Sequence, residues 1–234
     1  MRILLVKAIK FFAALLLLPL FPPVVLSAWN LAIQIPQNNL FLENPLSLSL
    51  GGLALWVVFA LLFHLPTRIY VFAHEMTHAL FIRLCGGRVK RISVGHDSGY
   101  VIADRTNFLI ALAPYIFPFY AVILGLAGAV IALFTPLGPW VFALWAAIGA
   151  SLGYHWTMTL KMLPTRQSDF SSQGAFFSLV FIVLGNLLWI YALLVLLPTP
   201  AGAGDKLWKL SSELVRSYQT VALWIVRLIE GWMV

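Results

Sequence analysis

The chain has 234 residues, 62% of them hydrophobic and 10% charged, with a mean hydropathy of +0.94. A soluble domain carries about 25% charged residues, so the composition excludes an ordinary soluble protein and indicates a polytopic membrane protein. The net charge of +7 does not indicate a nucleic-acid partner, because the basic residues sit at the ends of apolar runs, where they orient spans and meet anionic headgroups of the lipid bilayer.

The first apolar run, about Leu4 to Trp29, follows Arg2 and carries Lys7 and Lys10 in its first turns. Its basic start and its Ser27-Ala28 pair resemble a signal peptide. Its length favours a retained membrane anchor over residues 1–29, with Pro19, Pro22 and Pro23 expected to kink or break the helix. Residues 30–50 read as an outer loop with Glu43 as its only charge. The second run, Gly51 to about Leu84, is too long for one straight span of about 20 residues, and Pro66 is expected to kink or tilt it. Gly86-Gly87 ends it, as C-terminal glycines do. Residues 88–104 read as a β-hairpin turning at Gly95-His96-Asp97-Ser98-Gly99. Arg83, Arg88, Lys90, Arg91 and Arg105 assign that region to the cytoplasmic side.

A third span is expected from about Thr106 to Phe134, with Pro114 and Pro118 inside it. A fourth runs from about Pro139 to Leu163, and a fifth from about Gln173 to Leu197. Lys161 and Arg166 mark the turn between the last two as cytoplasmic. Residues 198–234 read as an amphipathic or membrane-associated helix, expected to lie in the bilayer interface over its first half. The expected fold is an all-α polytopic membrane protein of five or six transmembrane helices, with a membrane core over residues 51–197. No polar segment is long enough for a further soluble domain of about 50 residues. Cys85 is the only cysteine, so no intrachain disulfide forms.

His74-Glu75-Met76-Thr77-His78 is an HExxH motif inside the second apolar run. On a helix, positions i and i+4 lie about 6 Å apart along the axis and about 40° apart around it. Both imidazoles can therefore face one metal ion, with Zn²⁺ the usual occupant. Glu75 is then aimed to act as general base toward water activated at the metal. Ionisable residues are expensive in an apolar segment unless they serve a function; the competing view is a chance match hydrogen-bonded inside a bundle.

A catalytic zinc site usually takes three protein ligands. A third histidine six residues after the second, with a glycine midway, is excluded because those positions are Leu84 and Phe81. The downstream glutamates, Glu213 and Glu230, lie in the tail. Cys85 and His64 lie about 10 Å and 15 Å along the helix axis from the histidines, too far to share an ion. Asp97 and Asp104 have solvated roles in the hairpin, and Asp205 sits in a Gly-rich loop. Asp169, at the cytoplasmic start of the fifth span, is left as the third ligand. Its other reading is a helix N-cap, which Ser168, Ser171 or Ser172 could equally provide. His155, in the fourth span, is the reserve candidate.

The run HEMTHALFIRLCGGRVKRISV, followed by a span containing Ala113-Pro114-Tyr115, resembles the site-2 protease (M50) family of intramembrane zinc metalloproteases. It is most similar to the compact M50B-like branch, in which Gly-Gly and a short β-segment follow the zinc helix. The Gln167-Ser168-Asp169 segment is similar to that branch's second motif, whereas the Asn-Pro…Leu-Asp-Gly form of many site-2 proteases is absent. The likeness covers roughly residues 64–185 and leaves no room for a PDZ domain. It implies zinc held by His74, His78 and Asp169, Glu75 as catalytic base, and a membrane-protein substrate cut near the cytoplasmic face of a bacterial inner membrane. The rival expectation is a metal-binding membrane protein without hydrolytic activity, such as a chaperone-like binder or a metal carrier. The presence of Glu75 and the scarcity of polar groups in spans one, three and five count against it.

Overall fold

The computed structural model describes residues 2–34, 44–138, 140–163, 168–196 and 203–232. Glu43, residues 164–167 with Arg166 and Gln167, and the start of the 198–234 segment lie outside them. The described chain is mostly helical, with one two-stranded antiparallel sheet. In order it forms α1 (Arg2–Leu17), a 3-10 turn (Leu18–Leu20), α2 (Phe21–Gln34), α3 (Pro45–Leu62), α4 (Thr67–Leu84), β1 (Val89–Val94) and β2 (Gly99–Ala103). There follow α5 (Phe108–Ile116), α6 (Phe119–Phe134), α7 (Trp140–Met162), α8 (Ser168–Gln173), α9 (Ala175–Leu196) and α10 (Ala203–Trp232). Among the described residues, three helical segments are long and apolar enough to cross a membrane: Leu4–Gln34, Pro45–Leu62 and Ala175–Val195. The pair α5 and α6 makes a fourth if it is one bent span. The protein is therefore helical and suited to a membrane.

The chain divides into two compact units, residues 1–36 with 179–234, and residues 37–178. In the first, α2, α9 and α10 meet in a core of Val24, Leu184, Tyr191, Val195 and Leu210. The three prolines of the N-terminal run do not break it. Pro19 falls in the 3-10 turn and Pro22 and Pro23 in the first turn of α2, where a missing N–H is tolerated, and Leu4–Gln34 remains one candidate span. Pro23 has no N–H to give the Pro19 carbonyl; the Ser217 hydroxyl of α10 donates to it instead. The Tyr218 hydroxyl donates to the Leu16 carbonyl at 2.7 Å. Near the other end, Leu210 packs on Val24, so α10 runs antiparallel beside α1 and α2.

In the second unit the single long run expected over residues 51–84 is two helices. Asn44 caps α3, its side chain accepting from the backbone N–H of Leu46 at 2.9 Å, with Pro45 in the first turn. The helix therefore begins inside the segment expected as an outer loop. It stops at Phe63, which is extended. Pro66 lacks an N–H and biases the residue before it away from helix, so α4 starts afresh at Thr67. As a result α3 is the apolar span, and the histidine motif sits on a separate helix that is not among the candidate spans. The expected third span is likewise divided. Phe117 is extended before Pro118, and α5 and α6 meet at 73°.

Helices α3 and α7 pack backbone to backbone. A methyl group at Gly52 would overlap the Ala146 carbonyl, and one at Gly149 would overlap that of Ser49. Small residues permit this close approach where lipid gives no hydrophobic drive for association. Polar contacts fix the register: Trp56 Nε1 donates to Thr157 Oγ1 at 2.9 Å, and Ser49 Oγ to the Trp145 carbonyl at 3.2 Å. Gly149→Ala is expected to cost about 1–3 kcal/mol through overpacking. Thermal unfolding of the purified protein in detergent will read this as a lower midpoint.

Candidate metal centre

The motif helix is fixed at both ends. At its C-terminus Gly86 has φ +73°, and the backbone closes with Gly87 N–H donating to the Ile82 carbonyl at 2.7 Å and Gly86 N–H to that of Arg83 at 3.0 Å. That is a Schellman ending, which turns the chain back on itself. At the N-terminus, Tyr154 of α7 donates to the Pro66 carbonyl at 2.9 Å, and Tyr120 of α6 to the Ile69 carbonyl at 2.8 Å. The hairpin is formed as expected, with Val94 opposite Gly99 and Val89 opposite Ala103. It does not project from the end of α4 but folds back along it. Its tip residue Asp97 accepts from the Thr67 hydroxyl at 3.0 Å, at the first residue of α4.

His74, Glu75 and His78 are buried on α4. Asp169, in the first turn of α8, comes to the same place. Its Oδ2 lies 3.2 Å from His78 Nε2 and 3.7 Å from His74 Nε2. The three ligand atoms all lie within 4.8 Å of one another, and this group can hold a metal ion.

The partners of the opposite ring nitrogens strengthen this. His78 Nδ1 is 2.9 Å from the Ile110 carbonyl oxygen. A carbonyl only accepts, so Nδ1 carries a proton and Nε2 is the atom left facing Asp169. His74 Nδ1 is 3.2 Å from the Tyr70 hydroxyl, one helical turn earlier. Two ring nitrogens and a carboxylate oxygen thus converge, a set that can share a proton or hold a metal ion. Ligand atoms about 2.0–2.2 Å from an ion at the centre of a tetrahedron are about 3.3–3.6 Å apart. The two distances from Asp169, 3.2 and 3.7 Å, bracket that spacing, and the three-donor group can hold a metal ion.

The remaining candidates stay apart from the group. Asp97 receives hydrogen bonds from His96 and Thr67, and Asp104 accepts from the backbone N–H of Arg88 at 2.8 Å. These contacts hold both exposed carboxyls below the usual carboxylate range. His155 is buried on α7 and does not join the ligand cluster. It lines, with His74, Tyr70 and Thr77, a void of about 20 Å³. Glu75 faces a larger cavity of about 640 Å³, lined also by His74, His78, Asp169, and Gly99, Tyr100 and Val101 of β2. Tyr70 was not legible as a partner of His74. The only sequence signal is its position four residues earlier, on the same helix face.

No family model matches the chain, and no curated protein or solved structure matches it.

Asp169→Ala is expected to lower metal content sharply, and Tyr70→Phe to weaken metal affinity by about 10–100-fold, the usual effect of losing an outer-shell partner. Elemental analysis and competition titration with a chromogenic chelator will measure the two effects.

Proposed function

We propose that the protein is an intramembrane zinc endopeptidase of the site-2 protease (M50) type, most similar to its M50B-like branch. The observation that carries this reading is the buried His74, His78 and Asp169 group beside Glu75 at the wall of a roughly 640 Å³ cavity. A zinc ion held there supplies Lewis-acid chemistry, acidifying water and polarising a carbonyl. His74, His78 and Asp169 are the ligands; the Ile110 carbonyl keeps the proton of His78 on Nδ1, and Tyr70 orients the His74 ring. Glu75 takes a proton from the attacking water and delivers it to the leaving amine. Burial of Glu75 keeps its carboxylate poorly solvated and ready to accept that proton.

The substrate is a transmembrane segment of another protein, locally unwound. A helical amide is shielded by its own hydrogen bond, so cleavage needs an extended stretch. Strand β2 supplies a template: it lines the cavity and, among the described residues, pairs only with β1. A free strand edge binds extended peptide through main-chain hydrogen bonds. The basic residues around the hairpin favour a cytoplasmic orientation, and the compact form favours a bacterial inner membrane. Five spans follow on this reading, Leu4–Gln34, α3, the bent α5–α6 pair, α7 and α9, with the amphipathic α10 at the interface or as a sixth.

Glu75→Gln separates this reading from a metal binder without hydrolytic activity. Purified in detergent, that variant is expected to keep the wild-type metal content while cleavage of single-span transmembrane peptides falls about 10²–10⁴-fold, the usual share of a general base. Equal cleavage by both forms would remove Glu75 from the mechanism, and no cleavage by either would leave the non-hydrolytic binder.

A further inference from the structure

The hairpin does more than border the cavity. Gly99, the first residue of β2, stands directly over Glu75. A β-carbon at position 99 would lie 2.7 Å from Glu75 Cγ and 2.8 Å from its Oε1, with the Ser93 carbonyl oxygen also at 2.8 Å. Real β-carbons do not approach other atoms so closely, so position 99 admits no side chain while Glu75 keeps its present rotamer.

The backbone does not require glycine there. Among the described residues the glycines with positive φ are Gly86, Gly138 and Gly174. Gly99 is an ordinary strand residue paired with Val94, in a conformation open to any amino acid. What the glycine provides is therefore space, and the occupant of that space is the carboxylate-bearing side chain of Glu75. Glu75 is itself buried, and its side chain has three carbons and several rotamers. Contact with a rigid strand on one side restricts it to those facing the cavity shared with His74, His78 and Asp169.

We propose that Gly99 is a positioning residue. The backbone of β2 is the seat that holds the Glu75 carboxylate at the metal centre, and the hairpin thereby joins the substrate-facing strand to the base. The inference rests on the hydrolase reading for its catalytic consequence. The contact itself does not depend on that reading.

The test uses the full-length protein in detergent, loaded with Zn²⁺, as wild type, Gly99→Ala, Glu75→Ala and the double variant. Gly99→Ala is expected to keep one zinc per chain while kcat on a transmembrane peptide falls about a hundredfold, the cost of displacing a catalytic group by about 1 Å. KM should change by less than about threefold, because the interaction lost acts on the transition state. Thermal midpoints provide a readout independent of cleavage. Gly99→Ala should lower the midpoint in the wild-type background and lower it much less beside Glu75→Ala, where two of the three close contacts are gone. Folding of the double variant where Gly99→Ala alone fails to fold would support the same contact. If Gly99→Ala lowers the midpoint as much beside Glu75→Ala as in the wild-type background, the glycine serves the Ser93 carbonyl and the proposal falls. Unchanged kcat in Gly99→Ala of an active enzyme also overturns it. A wild type that cleaves nothing defeats the hydrolase reading and leaves the midpoint cycle to decide the contact.

Discussion

Two imidazole nitrogens and a carboxylate oxygen crowded together among apolar helices need a proton or a metal ion between them. That constraint organises the second unit. Each ring is turned by what it meets at Nδ1, and each of those partners belongs to a helix with its own reason for being there. The Ile110 carbonyl is open to His78 because Pro114, four residues on in α5, has no N–H to give it. Tyr70 is presented by α4 itself. Asp169 arrives on a short helix that ends at Gly174, where φ is +91°. The centre is thus assembled where a proline frees one helix carbonyl and a short helix brings in the carboxylate.

The surroundings hold α4 while leaving one side of it open. Two tyrosines from α6 and α7 take carbonyls at or just before its first turn. The tight α3–α7 pair lies behind Tyr154, whose ring meets Trp56 edge-on at 4.9 Å. On the other side the helix faces the hairpin and the cavity. A rigid back and an open front suit a site that must keep its ligands within tenths of an ångström yet admit a chain.

Much of this was legible in the sequence. The HExxH spacing gave the two histidines and the glutamate, Gly86-Gly87 gave the helix end, and the turn at 95–99 gave the hairpin. Asp169 followed from the poverty of other carboxylates, a form of reasoning that works only where charged residues are scarce. The misses have physical causes. Hydropathy does not register a break between two apolar helices, so Pro66 was read as a kink when it separates α3 from α4. The bend at Pro118 was hidden in the same way. Tyr70 and Gly99 act through contacts that no periodicity records: one is a ring nitrogen's partner, the other an absent side chain. The tail's mixed pattern indicates a helix, which α10 is, but no pattern in it records that the Ser217 and Tyr218 hydroxyls reach the Pro19 and Leu16 carbonyls.

That pairing bears on how the molecule is made. The proline-rich middle of the N-terminal helix leaves a carbonyl at Pro19 that its own helix cannot satisfy, and the hydroxyl that satisfies it comes from a residue 198 positions later. The early helix therefore completes its hydrogen bonding only in the company of α10, which makes the two elements one cooperative folding unit despite their distance along the chain.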